Sequence, residues 1–130
     1  MTRKSKQNLR IKKPHSLQWI LDLLENHPDL LQKRMFGCLA AYLRNRIVLV
    51  LADKEEPWNG ILIPTEREFH PSIEREFPSL QPHPILGKWL YLSQSHPEFE
   101  EISTHIVKHI LSEDPRYGVV PKGKKVKMSR

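Results

Sequence analysis

The chain lacks the residues and segments that mark several common protein classes. Cys38 is its only cysteine, so no internal disulfide can form, and this composition fits a reducing cytoplasm. The basic start, residues 1–13, is followed by no long apolar run, so we expect neither a secretion signal nor a membrane span. No glycine-rich phosphate loop, internal repeat or Ser-His-Asp arrangement is identifiable. We therefore predict a cytoplasmic protein with no cofactor, no metal and no catalytic residues.

Positive charge is concentrated at the two ends of the chain. Residues 1–13 and residues 115–130 each contain six Lys or Arg residues and no acid, whereas all 15 acidic residues lie between them. A chain of 130 residues fits one domain. We predict a disordered basic arm at residues 1–13, one domain at residues 14–120, and a disordered basic tail at residues 121–130.

A helix is predicted near the N-terminus because four apolar residues recur at helical spacing: Leu17, Ile20, Leu21 and Leu24. Ser16 is predicted to cap this helix, and Pro28 to end it at the preceding residue. The segment that follows, residues 28–34, is predicted to form a turn or a second short helix.

Residues 33–53 are the most apolar stretch and predict a β-hairpin. In the first strand, one side is expected to carry Phe36, Cys38, Ala40 and Tyr42. Residues 47–51 are apolar on both faces, as in a central, covered strand. Asn45 tolerates the left-handed conformation of a tight turn. Gly37 within the strand predicts a bulge or a close approach of the backbone.

The remaining chain predicts two more strands, at residues 61–65 and 89–92, and a short helix between them. The last helix has a buried stripe of Phe99, Ile102, Ile106 and Ile110. Two pairs have the spacing of a capping box, Thr65 with Glu68 and Ser95 with Glu98. The predicted fold is α+β, an antiparallel sheet with a central hairpin, covered by the N-terminal and C-terminal amphipathic helices.

Two sets of residues could support catalysis. Glu101, His105 and His109 recur every fourth residue along the last helix and could ligate a metal, or they form a solvated helix flank. Cys38 could be a nucleophile, or a buried and unreactive thiol among apolar neighbours. A small metal-dependent or thiol enzyme that uses one of these sets is the alternative function.

Three features could bind a partner. The basic ends could contact phosphates without reading sequence, or serve only as solubilising tails, and their candidate residues are Arg10, Lys12, Lys13, Lys122, Lys124, Lys125 and Lys127. Trp58 could contact a partner from its loop, or fold back over the edge of the sheet. An exposed strand edge could also form a homodimer.

The hairpin carries a resemblance. The start Arg34, Met35, Phe36 and Gly37, then a strand, a tight turn and an apolar strand, resembles the TfoX N-terminal domain family. The later "GKWLYLS" strand and the closing helix follow the same order, so the resemblance covers residues 15–112. It implies a small α+β domain, related in shape to YjbR-like proteins. In its two-domain members the family is associated with regulation of natural competence, and it has no catalytic residues to carry across.

From these observations the sequence predicts a non-catalytic regulatory or interaction module. Nucleic acid, bound through the basic ends, or a protein partner, including a second copy of the chain, is expected to be its binding partner. Arg34, Met35, Phe36 and Gly37 are expected to have a structural role.

Overall fold

A computed structural model describes residues 15–121. The strands are β1 (Leu30–Met35), β2 (Cys38–Leu43), β3 (Arg46–Asp53), β4 (Asn59–Ile63), β5 (Gln81–Pro82) and β6 (Leu90–Ser93). A 3₁₀ helix, Gln18–Leu24, precedes β1, a 3₁₀ turn, Arg67–Phe69, leads into helix α1 (His70–Glu76), and helix α2 (Phe99–Leu111) follows β6. The predicted arm at residues 1–13 lies outside the described residues, as does the predicted tail beyond Pro121.

The strands form one antiparallel sheet in the order β1-β2-β3-β4-β6-β5. The helices cover one of its faces, which confirms the predicted α+β fold. Buried residues of β2, β3, β4 and β6 pack there against the N-terminal 3₁₀ helix, α1 and α2. The stripe predicted on α2 is buried, because Phe99, Ile102, Ile106 and Ile110 are each at most 8% exposed.

Two tight turns define the central hairpins. Phe36 and Gly37 connect β1 to β2 with φ angles of 50° and 81°, and Arg44 and Asn45 connect β2 to β3 with φ angles of 49° and 70°. Two consecutive left-handed residues are typical of the two-residue turns that match the twist of a hairpin. The prediction for Asn45 is confirmed. Gly37, predicted within a strand as a bulge or a close approach of the backbone, lies in the turn between β1 and β2, so it forms no bulge; the ladder of β2 and β3 shifts between Ala41 and Tyr42 instead.

The segment predicted as a turn or second helix forms most of the edge strand β1. Its register places Lys33 opposite Ala40 and Met35 opposite Cys38. Edge strands carry polar and charged residues because one side of their ladder faces solvent. Such residues weaken the strand signal in the sequence, and the short strand β5 has hardly any signal at all.

The helix caps also differ from prediction. The N-terminal helix is 3₁₀ rather than α, and Ser16 does not cap it. The Ser16 hydroxyl donates instead to Asp53 Oδ2, at 2.7 Å. Neither capping box forms: the hydroxyl of Thr65 donates to the carbonyl oxygen of Arg116, and α2 begins at Phe99 without a side-chain cap. The Ser95 hydroxyl is hydrogen-bonded instead to the Ser93 hydroxyl, at 2.9 Å.

After α2 the chain returns across the sheet. The amide of Gly118 donates to the carbonyl oxygen of Pro64 at 2.8 Å, and Val119 pairs with Ile47 of β3 as an isolated bridge. Val119 packs against apolar residues on the sheet face that the helices leave uncovered. The described chain therefore ends, at Pro121, beside that face.

Candidate binding groove

The second face of the sheet is apolar, yet no helix in residues 15–121 covers it. We call it the open face. Its buried residues are Ala40, Ile47, Val50, Ala52 and Leu62, and Met35, Cys38, Tyr42, Trp58, Trp89, Tyr91 and Val119 are half-buried against them. Large apolar surfaces left exposed on a folded domain mark binding sites more often than chance. The open face is thus the leading candidate for a functional site.

A groove of about 570 Å³ runs over the open face. It is lined by Met35, Phe36, Cys38, Ile47, Val50, Lys54, Trp58, Leu62, Leu86 and Trp89. Its size falls within the range of about 300–1,000 Å³ typical of ligand sites. Among the described residues that line it, Lys54 supplies the only charged group, and the other side-chain donors are the Cys38 thiol and the indole N–H groups of Trp58 and Trp89. The groove therefore suits an apolar group that carries one negative charge.

The loop between β3 and β4 positions Lys54 and Trp58. The amide of Lys54 donates to the carbonyl oxygen of Trp58 at 2.8 Å, which closes the loop. The Glu56 carboxylate accepts the hydroxyl protons of Tyr91 at 2.7 Å and Ser93 at 2.5 Å, which fastens the loop to β6. These bonds lower the pKa of Glu56. Burial, and then the hydrogen bond to Glu56, raise the pKa of Tyr91 to about 12. The loop is therefore organised before any ligand binds.

Trp58 rests on a buried histidine. Its ring centroid lies 4.4 Å from that of His83, which is 1% exposed, and Tyr91 meets the same imidazole edge-on at 5.3 Å. The predicted alternatives for Trp58 were an exposed contact and a lid on the sheet edge. Trp58 is half-buried and forms a wall of the groove, so it both packs inward and presents a surface to the groove.

Phe36 and Lys54 form the mouth of the groove. Phe36, at the tip of the β1–β2 turn, is 90% exposed, and its carbonyl oxygen accepts a hydrogen bond from Lys54 Nζ at 3.0 Å. A Cβ atom on Gly37 would lie 2.5 Å from both Cε and Nζ of Lys54. Gly37 thus adopts the left-handed turn and leaves room for the lysine. The close approach at Gly37 is thus made by the side chain of Lys54.

Cys38 lies in the groove without the features of an activated nucleophile. Burial raises the pKa of its thiol, and this outweighs the opposing effect of the Lys54 charge. A thiol that is protonated at neutral pH is a weak nucleophile. Its position among Met35, Val50 and Leu62 is that of a packing residue.

Charge is distributed unevenly between the two sides of the sheet. Asp53 is the only acidic residue within the six strands, and its carboxylate bonds to Ser16 beside the N-terminal helix. Of the other acids, all but Glu55 and Glu56 lie in the helices or in the turns next to them. Among the described residues, the open face carries two lysines, Lys54 and Lys33, whose ammonium lies 5.7 Å from the Tyr42 ring, against one carboxylate, that of Glu56, which is bonded to Tyr91 and Ser93. An anionic partner is therefore favoured there.

The three residues named as a metal site do not form one. Within the described residues, no group of three or more His, Cys, Asp or Glu side chains is arranged to hold a metal ion. Both ring nitrogens of His109 are occupied: Nδ1 lies 3.0 Å from Asp114 Oδ2 and Nε2 lies 2.9 Å from Glu76 Oε2. Glu101 and His105 are exposed and have no part in this cluster. Glu101 and His105 form the predicted solvated flank of α2, and His109 is hydrogen-bonded to two carboxylates.

One serine, histidine and aspartate do come close together, but not as a catalytic triad. His15 Nε2 lies 3.6 Å from Asp53 Oδ1, while Ser16 donates to the other oxygen of the same carboxylate. The second nitrogen of His15 accepts the amide proton of Leu17 at 3.0 Å. Burial lowers the pKa of His15. A triad requires the histidine to contact the serine hydroxyl, and here both residues meet the aspartate instead.

The structure places some of the predicted binding residues and not others. Arg10, Lys12, Lys13, Lys122, Lys124, Lys125 and Lys127 lie outside the described residues. Arg34 and Met35 end strand β1, and Phe36 and Gly37 form the turn after it. Sequence reasoning missed Lys54, His83 and Trp89, although the "GKW" before β6 placed a tryptophan at the start of a strand.

Comparison with known proteins gives no relative: no family model matches the chain, and neither a curated protein nor a solved structure does. Among the described residues, no helix is both long enough and apolar enough to cross a membrane. The groove is therefore the feature of this protein that indicates what it binds.

Proposed function

We propose that this protein is a non-catalytic interaction module whose open face docks a protein segment that combines large apolar side chains with negative charge. The observation that carries the proposal is the groove of about 570 Å³, whose described lining is mostly apolar and aromatic and holds one charged group, the Lys54 ammonium. Apolar and aromatic anchors that fill such grooves contribute most of the binding energy at protein interfaces.

The charges support an acidic partner. Lys33 and Lys54 lie on the open face. Opposite charge on the partner would speed its approach and orient it. The acidic helix layer, on the far side of the sheet, would repel the same partner.

The walls favour a protein segment over a single strand of nucleic acid. A single strand needs a positively charged groove that follows its backbone, but among the described residues that line the groove Lys54 is the only cation. The groove also offers few polar groups to pair with the edges of a base. Nucleic-acid contact through the basic ends stays a separate prediction.

The resemblance to the TfoX N-terminal domain family supports the same class of function. It implies a regulatory module without catalytic residues, and the turn that carries it, at Phe36 and Gly37, forms the mouth of the groove. Membership in that family and a competence role stay predictions.

The test measures binding of a fluorescent synthetic peptide that alternates Asp or Glu with Leu or Phe, beside a peptide with Lys in place of the acids. The variant F36N/L86S removes two exposed apolar groups from the groove, and asparagine tolerates the left-handed turn at residue 36. The control, Leu23→Ser, alters a side chain of the N-terminal 3₁₀ helix that is 49% exposed.

Binding of the acidic peptide that is lost in F36N/L86S and kept in Leu23→Ser supports the proposal. Equal binding of the two peptides, or no effect of F36N/L86S, overturns it. A single-stranded oligonucleotide that binds the open face in place of the peptide, and is sensitive to F36N/L86S, also overturns it in favour of nucleic acid.

A further inference from the structure

Within residues 15–121, Lys54 is the only charged residue that lines the groove. Its backbone is fixed by the bond to Trp58, and its ammonium uses one donor on the carbonyl oxygen of Phe36, 3.0 Å away. An ammonium has three N–H donors, so two are left for a ligand at the mouth. The groove thus presents one cationic group at its entrance and apolar walls behind it.

The backbone at the floor of the groove cannot pair with a strand that lies across it. Strands β2, β3 and β4 form its floor, and each is hydrogen-bonded to a neighbouring strand on both sides. An extended segment lying across this floor would leave its own N–H and C=O groups without partners from the sheet. The end of a chain buries fewer such groups than its middle.

We infer that the groove captures the C-terminus of its partner: the last, apolar side chain occupies the groove, and the terminal carboxylate pairs with Lys54. This inference rests on the proposed function. A free C-terminus is the place in a protein where a carboxylate stands directly beside an apolar side chain. An internal acidic residue carries its charge on a separate side chain, at least one residue away from the apolar anchor.

The experiment compares two synthetic peptides of one sequence, acidic and ending in Phe, one with a free C-terminal carboxylate and one with a C-terminal amide. Trp58 and Trp89 line the groove, so quenching or a shift of tryptophan fluorescence reports binding. We expect the free carboxylate to bind at least about tenfold more tightly, because a hydrogen bond to a charged group contributes about 1.5–3 kcal/mol.

Three lysine variants test which ammonium group binds the terminal carboxylate. Lys54→Met should abolish the difference between the two peptides, and Lys54→Arg should restore most of it. Lys33→Met, on the same face but outside the groove lining, should preserve it. Thermal unfolding of each variant confirms that it is folded before binding is compared.

The outcomes separate this inference from the proposed function. Equal affinities for the free and amidated peptides, with both lost in F36N/L86S, overturn capture of the C-terminus and leave docking in the groove intact. Failure of both peptides to bind the unaltered chain overturns both proposals. A difference between the peptides that persists in Lys54→Met overturns the role of Lys54.

Discussion

His83 Nε2 donates a hydrogen bond of 2.8 Å to the carbonyl oxygen of Pro57. Its other ring nitrogen, Nδ1, accepts the amide protons of Ile85 and Leu86, each at 3.1 Å. A neutral imidazole with its proton on Nε2 satisfies all three bonds. One buried side chain therefore joins the β3–β4 loop, which carries Trp58, to the β5–β6 loop, which carries Leu86, and so holds two walls of the groove together.

Replacement of His83 by Phe keeps a ring beneath Trp58 and removes all three hydrogen bonds. We expect a loss of about 3 kcal/mol in the free energy of unfolding, because buried amide and carbonyl groups are left unpaired. Urea denaturation measures this loss. The same substitution at His105, which is exposed on α2, is the control and should change stability little. Equal denaturation midpoints for His83→Phe and the unaltered chain would show that the three hydrogen bonds of His83 contribute nothing to stability.

Gly60 is needed where β4 pairs with β6. A Cβ atom at this position would overlap the carbonyl oxygen of Leu92 and lie 2.9 Å from the amide nitrogen of Gln94, and both are backbone atoms that cannot move aside. Gly60→Ala should therefore destabilise the domain by about 3 kcal/mol, near the upper end for overpacking.

The control for Gly60 is Gly87→Ala, whose new Cβ would meet only the end of the Arg67 side chain, at 3.2 Å. Because Gly87 has a φ of 31°, this substitution should still cost about 1 kcal/mol. Thermal unfolding of the two variants ranks them. A smaller loss for Gly60→Ala than for Gly87→Ala would contradict the close approach of β4 and β6.

Arg116 ties the C-terminal segment to the helix layer. Its guanidinium donates to Asp114, to Glu76 Oε1 at 2.8 Å and to the Ser72 hydroxyl at 3.0 Å. The bond from Arg116 holds the pKa of Asp114 at about 2, against an ordinary value of 3.8, although burial opposes this. A pKa lowered by folding stabilises the native state above pH 3.8, and this contribution is lost as the pH falls through about 2.

Asp114→Asn should therefore lower stability at neutral pH, by about 2 kcal/mol, and lose less on acidification than the unaltered chain. The measurement is urea denaturation between pH 2 and pH 7. Glu76 also has a lowered pKa, chiefly through Arg116, so some acid sensitivity should persist in the variant. Glu101→Gln, at an exposed acid on α2, should keep the full acid dependence. Parallel pH profiles for Asp114→Asn and the unaltered chain would contradict this account.

Patterns that are local in sequence predicted much of the fold. The stripe on α2 and the hairpin turn at Asn45 follow from the spacing of apolar residues and from left-handed tolerance, both visible within a few residues. Strand β1 was missed because an edge strand needs no apolar alternation, and the caps at Thr65 and Ser16 were mispredicted because their hydroxyls bond across the fold.

The groove shows the same limit. The open face was predictable only in part, since a run that is apolar on both sides, such as residues 47–51, indicates two covered faces. Here the helices cover one face and the loops leave the other partly open. Lys54 and His83 become functional candidates only in the folded protein, where the β3–β4 loop and the β5–β6 loop meet at Trp58. The two loops are far apart in the sequence. No spacing rule in a single sequence brings such residues together.

The Cys38 thiol should react slowly. Because burial raises its pKa, little thiolate is present at pH 8, and we expect alkylation by iodoacetamide about tenfold slower than that of glutathione. Loss of the free thiol over time, followed by mass spectrometry, gives the rate. Alkylation in concentrated urea provides the control, since unfolding should remove the protection. A rate above that of glutathione in the folded protein would favour the thiol-enzyme alternative.

Binding of nucleic acid, if it is a property of the basic ends, should be lost with them. The chain between them carries all 15 acids, most of them in the helix layer, and so repels a polyanion. We expect the full chain to bind a labelled duplex and a labelled single strand at low salt, and more weakly at moderate salt, because phosphate contacts release counterions. A variant that lacks residues 1–13 and 121–130 should not bind. Binding that survives this truncation would locate the contact on the folded domain, whereas no binding at low salt would exclude the basic ends as a nucleic-acid site.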